Sequence, residues 1–197
     1  MINISTGRLG SELANFLAAR GHTARLLLGQ HATYHGTDPA GPVEVFSTTA
    51  DLRDRLAALA NEPIGAVFHA AAVSDFGFGK VYTRSKSGEL TQIKSKKIPT
   101  GQGPLLAELV PTPKVLAELR QWFPKACIIG WKYELEGKRP GVIRLAEKQI
   151  AECLTDACVA NGAAYGEGFG LVRAGGEYTH LEDHNALFTA LEAMIGQ

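Results

Sequence analysis

The chain has 197 residues, of which 45% are hydrophobic, and it carries 20 basic and 20 acidic side chains. This size suits one domain, 1–197, with a substantial core, and the balanced charge excludes a general attraction to nucleic acid or to an acidic membrane. With no signal peptide and no apolar run long enough to span a bilayer, the sequence predicts a cytoplasmic protein. The three cysteines form no CxxC pattern, which indicates buried thiols rather than a disulfide framework or a zinc site.

The chain opens with a loop that runs into a helix. Gly7 and Gly10 allow the backbone to approach a ligand, Ser5 and Thr6 can accept backbone N–H groups, and Arg8 adds a positive charge. Because a helix N-terminus favours anions, this stretch predicts a phosphate-binding loop. Its spacing matches neither GxGxxG nor a P-loop, and an ordinary capped helix start would explain the same residues equally well.

Strands alternate with helices along most of the chain. The predicted strands are 23–28, 43–46, 66–73, 105–110, 126–131, 157–160 and 170–174. The predicted helices are 9–20, 51–61, 111–122, 140–152 and 183–195. Continuous apolar runs at 66–73 and 126–131 are typical of strands buried on both faces. The sequence therefore predicts an α/β fold with a Rossmann-like, mostly parallel sheet and helices on both faces.

Residues 74–104 form a segment rich in glycine and lysine, with possible short strands at 81–83 and 90–93. Its lysines are Lys80, Lys86, Lys94, Lys96 and Lys97. Irregular segments of this length are usually functional or disordered. We predict a partly mobile excursion from the sheet that serves as a flap over phosphate or as a dimerisation element.

In folds of this class a glycine loop follows the first, central strand of the sheet. Here the loop begins at residue 3, so the residues before it are too few to form that strand. We therefore expect that a native N-terminal strand is missing from this chain.

Polar residues follow several of the predicted strands, where open parallel sheets bind their ligands. Asp75 could orient a hydroxyl or bind a cation, or it could simply cap a turn. Lys132 and Glu134 could face a ligand together or form an ordinary surface pair. Asn161 could contact a ligand, or it could adopt a left-handed turn before Gly162.

The histidines give no metal-binding pattern. His69 lies in an apolar run and fits a core histidine better than a catalytic one. His180 and His184 are four residues apart, but they straddle a predicted helix start and enclose Glu182 and Asp183, which is not the HExxH order. No metal-binding residues are predicted.

Seven segments, in the same order along the chain, together resemble the phosphopantothenoylcysteine synthetase (phosphopantothenate–cysteine ligase) family. This family is the ligase half of the bifunctional coenzyme A biosynthesis flavoprotein. The first segment, NISTGRLG at 3–10, is similar to the family's Asn-x-Ser-Ser-Gly-Lys/Arg-x-Gly loop. The others are AAAVSDF at 70–76, the lysine loop at 96–105, VPTPKVL at 110–116, WKYE at 131–134, VAN at 159–161 and GFG at 168–170.

The resemblance implies a homodimeric enzyme that uses ATP or CTP, with Mg²⁺, to join 4′-phosphopantothenate to cysteine through an acyl-nucleotidylate. It implies catalytic roles for Asn3, Lys97 and Lys96. The nucleotide- and phosphate-binding residues that it implies are Ser5, Thr6, Gly7, Arg8, Ala71, Asp75, Trp131, Lys132, Glu134 and Asn161. No flavin is expected, because the decarboxylase half of the family's bifunctional members has no counterpart here.

Two other functions fit parts of the sequence. A diverged family member could bind a nucleotide or a partner without catalysing ligation. An NAD(P)-dependent reductase is suggested only by Tyr82 and Lys86, which form a Tyr-x-x-x-Lys pair outside any confident helix. The sequence does not distinguish ATP from CTP.

Overall fold

The structure is a computed structural model that describes residues 5–34, 36, 41–95 and 103–196. The predicted catalytic residues Asn3, Lys96 and Lys97 lie outside these described residues. The described chain divides into two compact units, a small one at 74–113 and a larger one that holds the rest.

The helices and strands are numbered here in chain order. The helices are α1 (Arg8–Ala19), α2 (Thr49–Ala58), α3 (Val115–Trp122), α4 (Arg139–Cys153) and α5 (His184–Glu192). The strands are β1 (Leu26–Gly29), β2 (Val43–Phe46), β3 (Ala66–His69), β4 (Phe76–Arg84), β5 (Leu90–Gln92), β6 (Leu105–Pro111), β7 (Cys127–Tyr133), β8 (Ala157–Asn161), β9 (Phe169–Arg173) and β10 (Tyr178–Leu181).

The main sheet of the larger unit has the strand order β10-β9-β8-β7-β3. Strands β3, β7 and β8 are parallel, as predicted, whereas β9 and β10 are antiparallel additions at one edge. Strand β10 was not predicted. A short turn with Gly175 and Gly176 in the left-handed region joins β9 to β10, and only antiparallel neighbours can be joined by so short a connection.

Helices cover both faces of this sheet, which confirms the predicted α/β class. Ile129 of β7 packs under α1 and α5, in a cluster that includes Leu13 and Leu187. The next residue back, Ile128, points to the opposite face and packs with Leu119 of α3. Helix α4 covers the adjoining part of that face, above β8. This alternation along β7 is what a strand buried on both faces requires.

Strands β1 and β2 form a separate parallel pair in the described residues. They nevertheless lie between the same helices as the main sheet. A Cβ placed on Gly10 of α1 would lie 3.9 Å from Leu26 Cδ1 of β1. On the other face, Leu27 of β1 and Val67 of β3 pack against one cluster that contains Leu52 of α2.

The segment predicted as 66–73 is shorter than expected, because β3 ends at His69 and the chain then turns, with the Val73 N–H donating to the Ala71 carbonyl at 3.1 Å. The strand predicted at 23–28 is shifted to 26–29, and helix α2 ends three residues earlier than predicted, at Ala58.

The small unit is a three-stranded antiparallel sheet with β4 between β5 and β6. Both short strands predicted in this segment are present, and the first belongs to the nine-residue β4. The strand predicted at 105–110 also exists, but it pairs with β4 and is not part of the main sheet. Large apolar side chains are exposed on this sheet, with Phe78 77% and Leu109 56% exposed.

Among the described residues, no helix is both long enough and apolar enough to cross a membrane.

Candidate active site

The loop before α1 has the local structure that its sequence indicates. Gly7 has φ +76°, and a Cβ at this position would lie 2.7 Å from Leu28 Cδ1, so glycine is required there. The hydroxyl oxygens of Ser5 and Thr6 accept the backbone N–H groups of Gly7 and Arg8, each at 3.3 Å. These two side chains therefore organise the loop. The first turn of α1 carries no acidic side chain, which keeps it suited to an anion.

Arg8 forms an ion pair with Glu12, one helical turn further on. The Arg8 Nε donates to Glu12 Oε1 at 2.7 Å, and the Tyr34 hydroxyl donates to the same oxygen at 3.1 Å. Burial opposes ionisation of Glu12, but the hydrogen bonds from Arg8 and Tyr34 outweigh it and lower the pKa of the carboxyl group. Glu12 is therefore a carboxylate at neutral pH. The Arg8 side chain remains 58% exposed and can reach a further anion.

Glu12 also faces His184, the first residue of α5. Its Oε2 lies 3.6 Å from His184 Nδ1, which is the distance of an ion pair rather than of a hydrogen bond. The His184 ring stacks on Phe188 at 5.8 Å between ring centroids, and it lies 5.2 Å from the Phe169 ring. These contacts link the start of α1 to the beginning of α5.

A cavity of about 610 Å³ opens beside His184. Tyr133 and Asn161, the last residues of the adjacent parallel strands β7 and β8, line it together with Phe169. Glu182 and Asp183, just before α5, contribute acidic groups. The cavity thus lies at the carboxyl ends of parallel strands, where sheets of this class bind ligands.

Three buried polar atoms near the carboxyl ends of the parallel strands have no hydrogen-bond partner in the described structure. They are His69 Nε2 on β3, Trp131 Nε1 on β7 and Asn161 Oδ1 on β8. Trp131 and Asn161 belong to the same face as Ile129 and Val159, because side chains alternate along a strand. An unpaired buried polar group costs about 1–3 kcal/mol, which makes this edge a candidate for binding a polar ligand; Thr155 Oγ1 and Arg173 Nε, away from this edge, are unpaired as well.

The family model for the DNA/pantothenate metabolism flavoprotein C-terminal domain matches residues 1–183. The chain belongs to this family. The match confirms the family that the seven sequence segments predicted.

One curated relative of this chain is the coenzyme A biosynthesis bifunctional protein CoaBC of Thermococcus kodakarensis. It is 29% identical over 162 residues, which is 81% of this chain but only 36% of the relative. The chain therefore spans about a third of that protein.

Solved structures show the same fold. The DNA/pantothenate metabolism flavoprotein of Streptococcus pneumoniae superposes with a TM-score of 0.82 at 17% identity, covering 98% of this chain and 89% of that one. The C-terminal domain of a CoaBC protein gives 0.71 at 19% identity, with 98% and 83% covered. A mutant of Cab2 in complex with phosphopantothenate-cysteine gives 0.66 at 18% identity, with 98% and 77% covered.

Lys132 and Glu134 form the pair that their spacing allowed, with 3.1 Å between Nζ and Oε1. Both side chains remain about one-third exposed, at 32% and 29%. Because side chains alternate along the chain here, Lys132 and Glu134 lie on the face opposite to Trp131 and Tyr133. The pair therefore borders the strand ends without belonging to the cavity wall.

The turn after β8 depends on Gly162 and not on a left-handed Asn161. Gly162 has φ +105°, whereas Leu154 is the one non-glycine residue with positive φ in the described chain. A Cβ at Gly162 would lie 2.4 Å from the carbonyl oxygen of Glu134. The turn interpretation of Asn161 is therefore wrong, and its side chain remains available to the cavity.

The remaining predicted site residues are less closely connected with the cavity. Ala71 follows β3 and packs against the core below α2 and α3. Asp75 belongs to the small unit, where it is exposed and its carbonyl oxygen accepts the N–H of Thr112 at 2.9 Å. His69 is only partly exposed, desolvation of its ring lowers the pKa of the imidazole, and its Nε2 atom is unpaired.

The features that suggested a reductase do not form its catalytic arrangement. Tyr82 lies on strand β4 and donates to Glu108 at 2.7 Å, an interaction that raises the pKa of the phenol. Lys86 lies in the turn after that strand. A catalytic Tyr-x-x-x-Lys pair needs both residues on one helix face and an acidified phenol.

Sequence reasoning missed Glu12, Tyr34 and His184. The spacing of Arg8 and Glu12 is that of a helical ion pair and could have indicated their contact. The approach of Tyr34 and His184 depends on tertiary packing, for which the sequence carries no local signal.

Proposed function

We propose that this protein ligates 4′-phosphopantothenate to cysteine at the expense of ATP or CTP, as a step of coenzyme A biosynthesis. The observation that carries the proposal is the cavity at the ends of β7 and β8, with unpaired Asn161 Oδ1 on its wall and a contact through His184 and Glu12 to the loop before α1. The similarity to part of CoaBC, and to Cab2 bound to phosphopantothenate-cysteine, supports the substrates.

The reaction has two chemical steps. A carboxylate oxygen of phosphopantothenate attacks the α-phosphate of the nucleotide, and pyrophosphate leaves. The amine of cysteine then attacks the acyl carbon, the C–N bond forms, and the nucleoside monophosphate leaves with the electrons of the broken C–O bond. Activation is needed because a free carboxylate is a poor acylating agent.

The described residues supply phosphate recognition and polar contacts for these steps. Ser5, Thr6 and Gly7 shape the start of α1, whose dipole favours phosphate, and the exposed Arg8 adds a charge. Trp131 Nε1 and Asn161 Oδ1 would find their missing partners in a bound substrate. Lys132 and Glu134 would border the nucleotide.

Other residues are assigned on the family resemblance. Asn3 would hydrogen-bond the acyl intermediate, and Lys97 or Lys96 would stabilise the charge that develops on phosphate. Ala71 and Asp75 would contact the nucleotide. Lys97→Ala should lower turnover about 100-fold or more, whereas Lys94→Ala, nearby in the same segment, should change it less than about threefold.

Magnesium fits this arrangement as a companion of the triphosphate. In the described residues, no group of three or more His, Cys, Asp or Glu side chains is arranged to hold a metal ion. Mg²⁺ is commonly held by one or two carboxylates together with substrate phosphates, so a dedicated protein cage is not required. When bound, it would neutralise phosphate charge.

The exposed apolar side chains of the small sheet support a homodimer. Phe76 is 51% exposed and Phe78, on the same strand, is 77% exposed, and Leu90 at the other end of the sheet is 51% exposed, values that are unfavourable in water. A second copy would cover them. As a biosynthetic enzyme of small soluble metabolites, the protein would act in the cytoplasm.

The proposed function is tested with the purified protein, Mg²⁺, 4′-phosphopantothenate and either ATP or CTP. Pyrophosphate release is expected with at least one nucleotide, and addition of cysteine should yield the amide, detected by mass spectrometry. Nucleotide binding without pyrophosphate release would favour a non-catalytic family member. Stabilisation by NADPH alone would contradict the proposal.

A further inference from the structure

The His184 ring is held in place from three sides and borders the cavity. Phe188 stacks on it with an interplanar angle of 10°, and Phe169 lies across from it. Asp183 caps α5 by accepting the Ala186 N–H at 2.8 Å, which fixes the backbone that carries the ring.

Glu12 determines which ring nitrogen of His184 is available. Its carboxylate faces Nδ1, and hydrogen bonds from Arg8 and Tyr34 hold it in that position. A carboxylate beside Nδ1 favours the tautomer that carries its proton there, which leaves the Nε2 lone pair free. At 3.6 Å the contact is electrostatic rather than a hydrogen bond, so Glu12 acts on the ring through its charge.

Among the described residues that line the cavity, the charged side chains other than His184 are acidic, although Arg139 lies beside the lining residue Gly166. Glu182 and Asp183 precede α5 on the same cavity wall, and Glu167 approaches from the loop between β8 and β9. Arg8 reaches the ring only through Glu12. Such surroundings suit an amine and the transfer of its proton better than they suit a phosphate.

We propose that His184, positioned by Glu12, is the base that accepts the proton of the attacking amine in the amide-forming step. The inference rests on the proposed ligase function. The amine nitrogen bonds to the acyl carbon, the bond from carbon to the phosphate oxygen breaks, and the nitrogen's proton passes to His184 Nε2. Because the side chain is 41% exposed, the proton then leaves to solvent.

The kinetic test separates the two steps in His184→Gln, Glu12→Gln and a control. His184→Gln should slow amide formation about 100-fold or more, while pyrophosphate release from phosphopantothenate and nucleotide stays within about twofold of wild type. Glu12→Gln should slow the amide step about tenfold. His22→Gln is the matched control, because His22 also faces a glutamate, Glu192 at 3.2 Å, on α5 but away from the cavity.

Nitrogen-15 NMR above neutral pH independently tests which ring nitrogen of His184 carries the proton. In the wild type the proton of neutral His184 should be on Nδ1, and Glu12→Gln should shift it toward Nε2. A wild-type ring protonated on Nε2 would overturn the positioning role of Glu12.

The outcomes distinguish the role of His184 as a base from the proposed ligase function on which it rests. An amide step within about threefold of wild type in His184→Gln, or an equal loss in both steps, overturns the base assignment alone. No pyrophosphate release by the wild type with either nucleotide overturns the ligase function and this inference with it.

Discussion

Arg120 and Asp156 fasten the amino ends of two central strands. Arg120 Nη2 donates to Asp156 Oδ2 at 2.7 Å, and the same oxygen accepts the N–H of Ile128 on β7 at 2.7 Å. Arg120 also donates to the carbonyl oxygens of Leu154 and Ala126, at 3.0 and 2.8 Å. The Arg120 side chain thus connects α3 to the residues that immediately precede β7 and β8.

Arg120→Met should therefore lower the free energy of unfolding by about 1–3 kcal/mol, because Asp156 loses its charged partner and two carbonyl groups lose a donor. Lys148→Met is the control, since Lys148 is 68% exposed and only 3.7 Å from Glu152, and it should cost less than about 0.5 kcal/mol. Urea unfolding measures both. Equal midpoints for the two variants would contradict this role of Arg120.

Gly162→Ala should disturb both stability and the cavity. Gly162 and Gly137 have nearly the same backbone, with φ +105° and +109°, but only Gly162 has a neighbour, the Glu134 carbonyl, where a Cβ would go. Gly137→Ala should cost about 1–2 kcal/mol from backbone strain alone, and Gly162→Ala at least about 1 kcal/mol more. Thermal unfolding compares the two variants. Equal losses of stability would show that the turn at Gly162 relaxes enough to accommodate a Cβ.

Arg8→Met should weaken nucleotide binding about tenfold, because a charge-assisted contact to phosphate is lost. Arg20→Met is a matched control on the same helix. Arg20 also pairs with a glutamate, Glu192 at 2.9 Å, but at the opposite end of α1. Calorimetric titration with ATP and with CTP gives the affinities. A similar loss in both variants would place the phosphate elsewhere.

Glu118 should contribute to acid sensitivity. Hydrogen bonds from Arg53, the shortest at 2.7 Å, lower the pKa of this carboxyl group. A depressed folded-state pKa gives stability that is complete above the unfolded value, about 4.3, and is lost as the pH falls through the folded value.

The expected consequence is that Glu118→Gln is less stable than wild type at neutral pH and that the difference shrinks below about pH 4. Urea midpoints measured from pH 7 down to pH 3 check this. A stability difference that stays constant over that range would show that the Arg53–Glu118 ion pair does not contribute to the pH dependence of stability.

The pattern of the main elements could be predicted because local chemistry determines it. The last helix was predicted at 183–195 and is found at His184–Glu192 with Asp183 as its cap, and β2 has the limits that were predicted. The antiparallel small sheet could not be predicted in the same way, because Phe78 and Leu109 are apolar yet exposed and give no core-facing alternation. Tertiary pairing, which has no local signal, decided that strand 105–110 joins β4.

The candidate site was predicted in part for the same reason. Asn161 could be placed at the ligand-binding edge, since a polar residue that ends a buried strand must lie there. Its cavity partner His184 comes from a helix start that follows an antiparallel hairpin, and nothing near it in the sequence specifies that approach. The contact between Glu12 and His184 exists only because α1 and α5 pack side by side.

The separation of the β1–β2 pair from the main sheet has a consequence for how the molecule opens. In the described part of the chain, β7 and β8 have a hydrogen-bonded strand on each side, whereas β1 and β3 have one on a single side. Local opening should therefore be easier at β1 and β3 than at β7 and β8. The loop that we assign to phosphate leads into α1, which packs on β1, so a bound ligand should slow amide exchange in β1.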